Sequence, residues 1–182
     1  MAQIMIQIME KLLETEDTDE ALAGSLELLV SATESLAGAL WVRDEESGRY
    51  YPMFFMGEAD LTNHSIQSGE YIEGKTAADG QTRTVAGTEG ETDGSVFETT
   101  GISVRNIICV PLKNAGRTIG SMTVANKKEN QAYSGEELRL CEQMAALITL
   151  TMEDRGYSLE KVRKGKPVLI EVRKLCKDYL SG

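Results

Sequence analysis

Two apolar runs, residues 104–112 and 117–126, lie on either side of Lys113-Asn114-Ala115-Gly116, and no other stretch constrains the fold as tightly. Asn-Ala-Gly supplies a residue able to adopt positive φ, so the runs are expected to pair as an antiparallel hairpin. A second hairpin is expected upstream. There Ala39-Leu40-Trp41-Val42-Arg43 is short and apolar, and Asp44-Glu45-Glu46-Ser47-Gly48 is a polar turn. Arg49-Tyr50-Tyr51-Pro52-Met53-Phe54-Phe55-Met56 follows as an aromatic-rich strand. Pro52 has no N–H to give to a ladder, which places its strand at an edge or beside a bulge.

Helical periodicity brackets the hairpins. Ile4, Ile8 and Leu12 recur every four residues, and Met5, Met9 and Leu13 repeat the pattern one position on. Asp17 with Glu20 has capping-box spacing and opens a second helix. Its apolar positions Leu22, Leu26, Leu29, Thr33 and Leu36 keep one face, and Gly38 is expected to stop it. Ser134 with Glu137 is a second capping pair. The helix it opens carries Leu138, Cys141, Ala145, Ile148 and Met152, spaced alternately three and four apart. That seam suits packing against another helix or against the chain's own sheet. The two hairpins can share one antiparallel sheet of five or six strands, giving an α+β fold with the N- and C-terminal helices on one face. The other face is left to a connecting loop, and a loop-covered sheet is the usual geometry of a small-molecule pocket.

The chain has 182 residues, 41% hydrophobic and 26% charged, which fits one globular domain with flanking segments. Its apolar runs are a handful of residues long, well short of the roughly 18 that span a bilayer. The N-terminus lacks a basic segment ahead of its apolar positions, so no secretory signal is read there and a cytoplasmic location is expected. The net charge of −10 disfavours nucleic acid and anionic lipid as partners, since both require a basic face. It is read instead as keeping the chain soluble. Cys109, Cys141 and Cys176 are dispersed and form no CxxC pair, a pattern of reduced thiols rather than a disulfide framework or a zinc site.

Between residues 57 and 101 the composition turns to glycine, threonine and acid, with Lys75 and Arg83 the only Lys or Arg. This stretch is too poor in apolar side chains to build a core of its own. It is expected to run over the sheet with one short helix and one short strand. Long excursions inside compact domains are usually functional or mobile. After Glu153-Asp154-Arg155-Gly156 the style changes again. Residues 157–167, ending in basic Arg163-Lys164-Gly165-Lys166-Pro167, read as a linker. Val168-Leu169-Ile170-Glu171-Val172 then reads as a new strand. The expected organisation is one domain over 1–156, a linker over 157–167, and the start of a second domain or a tail over 168–182.

The segment Arg105-Asn106-Ile107-Ile108-Cys109-Val110-Pro111-Leu112, followed by Gly116, Ile119-Gly120 and Asn126-Lys127, resembles the GAF domain family. In that family Val-Pro-Leu ends one strand, Ile-Gly begins the next and Asn-Lys closes it. A Phe-Thr or Tyr-Ser pair then precedes the last helix, as Tyr133-Ser134 does here. Gly74-x-x-Ala77-x-x-Gly80 is similar to the short helix that the family sets beside its pocket. The resemblance covers residues 18–154, is specific in its second half and matches poorly over 57–101. It implies a GAF/PAS-like fold, a sensory role, and motif positions at Gly74, Ala77, Gly80, Arg105, Asn126, Lys127, Tyr133 and Glu137. Residues 169–179 are similar to the opening strand of ABC-transporter ATP-binding domains, where an aromatic in the place of Tyr179 stacks on adenine. That second resemblance implies the N-terminal regulatory part of a longer signalling or ABC-ATPase protein. The sequence stops ahead of any phosphate loop.

Cyclic-nucleotide-binding members of the family carry an Asn-Lys … Phe … Asp-Glu signature. Asn126 and Lys127 match it, Tyr133 stands for the Phe, Glu137 for the Asp, and Leu138 breaks the last position. Lys127 and Glu137 are expected to pair across the strand–helix junction and orient it. Relatives that attach a bilin use a cysteine beside a histidine, and His64, the only histidine, has none nearby. The family's methionine sulfoxide reductases use cysteines in the pocket loop, and residues 57–101 contain none. Cys109 reads as a small buried apolar residue in a strand. Glu45-Glu46 and Asp17/Asp19 fall in turns, with nothing nearby to raise a carboxylate pKa. His64 in Thr62-Asn63-His64-Ser65 reads as solvated. The chain has no P-loop, GxSxG or HExxH motif. The expected function is therefore regulatory, with no cofactor, no metal and no catalysis. The chain would bind an unknown small molecule, or form a homodimer through its terminal helices by way of the 138–152 seam and the Ile4/Ile8/Leu12 stripe. The rivals are an interaction-only dimerisation module without a ligand, and a redox or hydrolytic enzyme using Cys109.

Overall fold

The element order follows the switch from helical to strand periodicity and back. In a computed structural model that describes residues 2–86 and 94–157, two helices, α1 (Ala2–Glu14) and α2 (Thr18–Ala32), lead into strands β1 (Ser35–Arg43) and β2 (Tyr50–Met56). Helix α3 (Tyr71–Asp79), strand β3 (Arg83–Ala86) and a 3-10 turn (Val96–Thr100) occupy the glycine- and acid-rich excursion. Strands β4 (Asn106–Asn114) and β5 (Arg117–Lys127) and helix α4 (Gly135–Asp154) close the domain. The five strands form one antiparallel sheet in the order β2-β1-β5-β4-β3. The α+β architecture expected from the two hairpins and the flanking helices is the one observed.

Local chemistry accounts for the boundaries. Ser134 and Glu137 complete a reciprocal capping box at the start of α4. Asp17 accepts from the Glu20 N–H, but the Glu20 carboxylate turns to Lys11 at 3.3 Å, so only half of that box forms. The β4–β5 hairpin turns on Ala115 (φ 47°) and Gly116 (φ 78°), with Asn114 paired to Arg117. Positive φ at both central residues matches the right-handed strand twist. Strand β2 is an edge strand, and its ladder shifts where Trp41 meets Pro52, so the proline marks both an edge and a bulge.

Gly38 does not stop α2. The helix ends at Ala32, with Thr33 bonding its hydroxyl back to the Leu29 carbonyl, and Glu34 turns the chain at φ 51°. Gly38 sits inside β1, where an added Cβ would lie 2.5 Å from Val30 Cγ2. Its role is to let helix and sheet approach closely.

On one face of the sheet α1, α2 and α4 bury a continuous aliphatic layer. Ile8, Leu22, Leu26, Leu29, Met144 and Ile148 pack over Leu40, Ile108, Val110, Leu112, Met122 and Val124. Cys141, Ala145, Ile148 and Met152 of the expected dimer seam are buried there, as are Ile8 and Leu12 of the N-terminal stripe. Those residues serve the chain's own sheet and are not a surface open to a second chain.

Among the described residues no helix is long and apolar enough to cross a membrane. Tyr157, the first residue of the expected linker, packs on the domain and donates its hydroxyl to the Asp19 carboxylate. The rest of the linker, the expected strand at 168–172, Cys176 and Tyr179 lie outside the described residues.

Candidate functional site

Strand alternation sends two different sets of side chains to the two faces. Met122 and Val124 of β5 enter the aliphatic layer, so Ser121, Thr123 and Ala125 face the other way. In register beside them on β1 are the small Ala37 and Ala39 and the bulky Trp41, which lies opposite Ser121.

 Ala39 of β1 and Cys109 of β4 flank Thr123 from either side, and Ile107 lies beside Ala125. Polar residues thus occupy the middle of a central strand whose two faces are both covered.

Helix α3 lies across these rows and turns Ile72, Glu73, Thr76 and Ala77 inward, the i, i+3, i+4 face of a helix. Gly74 and Gly80 are there for backbone reasons. A Cβ on Gly74 would collide with the Gln67 carbonyl, and Gly80 caps the helix at φ 68° with its N–H on the Thr76 carbonyl. Ala77 is buried against the sheet. The Gly74-x-x-Ala77-x-x-Gly80 spacing therefore seats a short helix on the polar face.

The chemistry lies between those small residues. Glu73 has no solvent exposure, and its carboxylate takes the Ser95 hydroxyl at 2.5 Å and the Val96 N–H at 3.2 Å. Burial pushes its carboxyl up to about 7, against the pull of the two donors toward the ionised form. The Cys109 thiol accepts from Thr123 at 3.4 Å, and burial pushes it up to about 12. Cys109 is thus the buried, protonated residue expected from its strand. Ser121 Oγ and Trp41 Nε1 are also buried, and neither makes a hydrogen bond of good geometry, although the Ser121 hydroxyl lies toward the Cys109 thiol. Buried polar atoms without partners are uncommon, since each forfeits its hydration.

The remaining motif positions gather elsewhere, at the joint between β5 and α4. Lys127 Nζ meets Glu137 Oε1 at 2.6 Å, with both side chains about 10% exposed. Burial opposes ionisation of Glu137, but Lys127 and the Ser134 N–H outweigh it and hold the carboxyl below its usual range. Asn126 takes a positive φ of 58°, accepts from the Arg105 N–H and donates to the Ser103 carbonyl. Arg105 is exposed and reaches Asn130 at 2.7 Å. Tyr133 bonds Ser35 at 2.7 Å, tying the approach to α4 to the start of β1. These five residues fasten the end of the sheet to the closing helix.

Glu73, Ser95, Thr76, Ser121 and Trp41 were not singled out by their sequence pattern. The alternation Ser121-Met122-Thr123-Val124 carried the usable signal, polar residues at every second place in an apolar strand. Glu73 carried none, because its burial depends on where α3 docks. His64 departs from the solvated expectation: it is half-buried, with Nδ1 enclosed and unpartnered. Among the described residues no group of three His, Cys, Asp or Glu side chains is placed to hold a metal ion.

Solved structures with this fold include the GAF domain of a phosphoenolpyruvate-protein phosphotransferase from Coxiella burnetii. It is 17% identical, with 86% of this chain and 96% of that one covered and a TM-score of 0.76. The free methionine-R-sulfoxide reductase of Neisseria meningitidis, solved with its substrate, is 21% identical over 82% of this chain and 86% of that one, with a TM-score of 0.70. The A. aeolicus nlh2 GAF domain in an inactive state is 16% identical over 85% and 96%, with a TM-score of 0.69. No curated protein matches the sequence. The family model for the GAF domain matches residues 15–153, which hold the sheet, the polar face and the closing helix, and the chain belongs to the GAF domain family.

Proposed function

We propose that the chain is a ligand-responsive regulatory domain whose small-molecule site is the polar face of the sheet beneath α3. GAF domains are regulatory and sensory domains of signalling proteins. The observation that carries the reading is the pair Trp41 Nε1 and Ser121 Oγ, buried side by side without a hydrogen bond of good geometry. A hydrogen-bonding ligand would satisfy both, and Thr76, Thr123 and Glu73 extend the polar lining. Trp41 is the only tryptophan, so its emission reports on this face alone. Titrating small metabolites against Trp41 emission tests the reading. A true ligand changes the emission of the chain and binds at least tenfold more weakly to Ser121→Val, and equal binding by that variant contradicts the site.

The domain is read as non-catalytic. Cys109 and Cys141 are buried, and burial pushes both thiols up to about 12, so neither supplies a thiolate at neutral pH.

A homodimer through the terminal helices is the second reading, and a different set of residues favours it. Met9, Leu13, Leu147 and Leu150 line a groove of about 350 Å³ between α1 and α4, with Leu13 77% and Leu150 61% exposed. A second copy is the proposed occupant. Light scattering tests this: the chain is expected as a dimer that Leu13→Glu converts to a monomer, and a monomeric wild type contradicts it. An ATP-binding output domain after residue 167 is carried only by the sequence of residues 169–179.

A further inference from the structure

We infer that Glu73 is a proton-linked latch that holds the 3-10 turn Val96–Thr100 down on helix α3, so that the roof of the polar face closes with proton uptake and loosens on proton release. The inference starts from connectivity. Glu73 stands on α3, and its two donors, Ser95 Oγ and Val96 N, both belong to the start of the 3-10 turn. One carboxyl group therefore bridges the two elements that cover the sheet here, together with the bond from the Ile72 N–H to the Gly94 carbonyl.

Among the described residues no Lys or Arg is paired with that carboxyl group. The charged neighbour from the 3-10 turn is Glu98, whose own carboxylate takes the Ser95 N–H at 3.2 Å and repels a charge on Glu73. From β4 the facing titratable group is Cys109, a neutral thiol whose ionisation a charged Glu73 would further oppose. Arg83 of β3 is turned toward Asp79, with Nη2 to Oδ2 at 2.5 Å, and reaches the Thr76 hydroxyl at 3.5 Å. A carboxylate buried without a counter-charge favours its neutral form unless the site opens to water.

The direction of the linkage follows. In the closed roof the Glu73 carboxyl sits near 7, against 4.5 when exposed, so the closed form binds the proton more tightly. Raising the pH through this window therefore favours opening. Opening at higher pH would admit a ligand to the Trp41–Ser121 pair; that consequence rests on the pocket proposed above, whereas the titration itself occurs in the ligand-free chain.

The test is hydrogen–deuterium exchange of residues 71–79 and 95–101 in the 182-residue chain between pH 5.5 and 8.5, corrected for the intrinsic pH dependence of exchange. Carboxyl ¹³C NMR of Glu73 is read alongside it. With 4.5 and about 7 as the two limits, roof protection is expected to fall on the order of thirtyfold across this range. Glu73→Gln mimics the protonated side chain and is expected to flatten the profile at the low-pH level. Ser95→Ala removes a donor that favours the charged form, so it should move the Glu73 titration upward even if Glu73→Gln fails to fold. A Glu73 carboxyl that titrates below 5, or a wild-type roof whose protection ignores pH, overturns the latch. Either result leaves the ligand titration of Trp41 free to succeed or fail by itself.

Discussion

The two faces of one sheet are built on opposite terms. Beneath α1, α2 and α4 the inward side chains of β1, β4 and β5 are aliphatic or methionine, and the buried Glu137 carboxylate of α4 is paired with Lys127 at the joint with β5. Beneath α3 the same strands offer Trp41, Ser121, Thr123 and Cys109, and the covering helix adds Glu73 and Thr76. The first face stabilises by excluding water. The second carries polar groups whose desolvation is only partly repaid, and natural folds accept such costs chiefly where function needs them. The difference teaches where to look for a ligand: on the face that a stability argument alone would not design.

Perturbing the two faces separately sharpens the contrast. The largest effect is expected on the aliphatic side, where Leu26→Ala, at a fully buried position, should cost about 3 kcal/mol in urea unfolding. Glu73 should come next, through pH. Its folded value is raised from 4.5 to about 7, so its contribution is fully present below 4.5 and is lost as pH rises through 7. That loss amounts to about 3 kcal/mol at most for a shift of this size, and Glu73→Gln should remove it from the stability–pH curve. At the joint between sheet and α4, Lys127→Met strands the Glu137 carboxylate and should cost about 2 kcal/mol. The smallest effect is expected at Ser121, whose hydroxyl makes no hydrogen bond of good geometry. Ser121→Ala should leave unfolding unchanged within about 0.5 kcal/mol, and a loss as large as that at Leu26 would erase the contrast between the faces.

Much of the frame was legible in the residues. Capping pairs, the Asn-Ala-Gly turn and the proline in β2 act locally, so sequence spacing alone located both hairpins and the closing helix. Gly38 misled for the opposite reason. A glycine after a helical stripe looks like a stop, yet its role is set by Val30 on a neighbouring element. The family motif located a real structural joint, because Lys127 pairs with Glu137, Asn126 and Glu137 bond nearby backbone, and Tyr133 bonds the Ser35 hydroxyl. The polar face was harder to read. Its members come from β1, α3, the 3-10 turn, β4 and β5, and only tertiary docking brings Glu73 to Ser95 across 22 residues of chain.

A high-resolution crystal structure of the purified chain tests the central claim most directly, at Trp41 Nε1 and Ser121 Oγ. The account predicts an ordered water or small molecule hydrogen-bonded to both atoms beneath α3. A dry, close-packed face in which both groups find partners within the protein would contradict it.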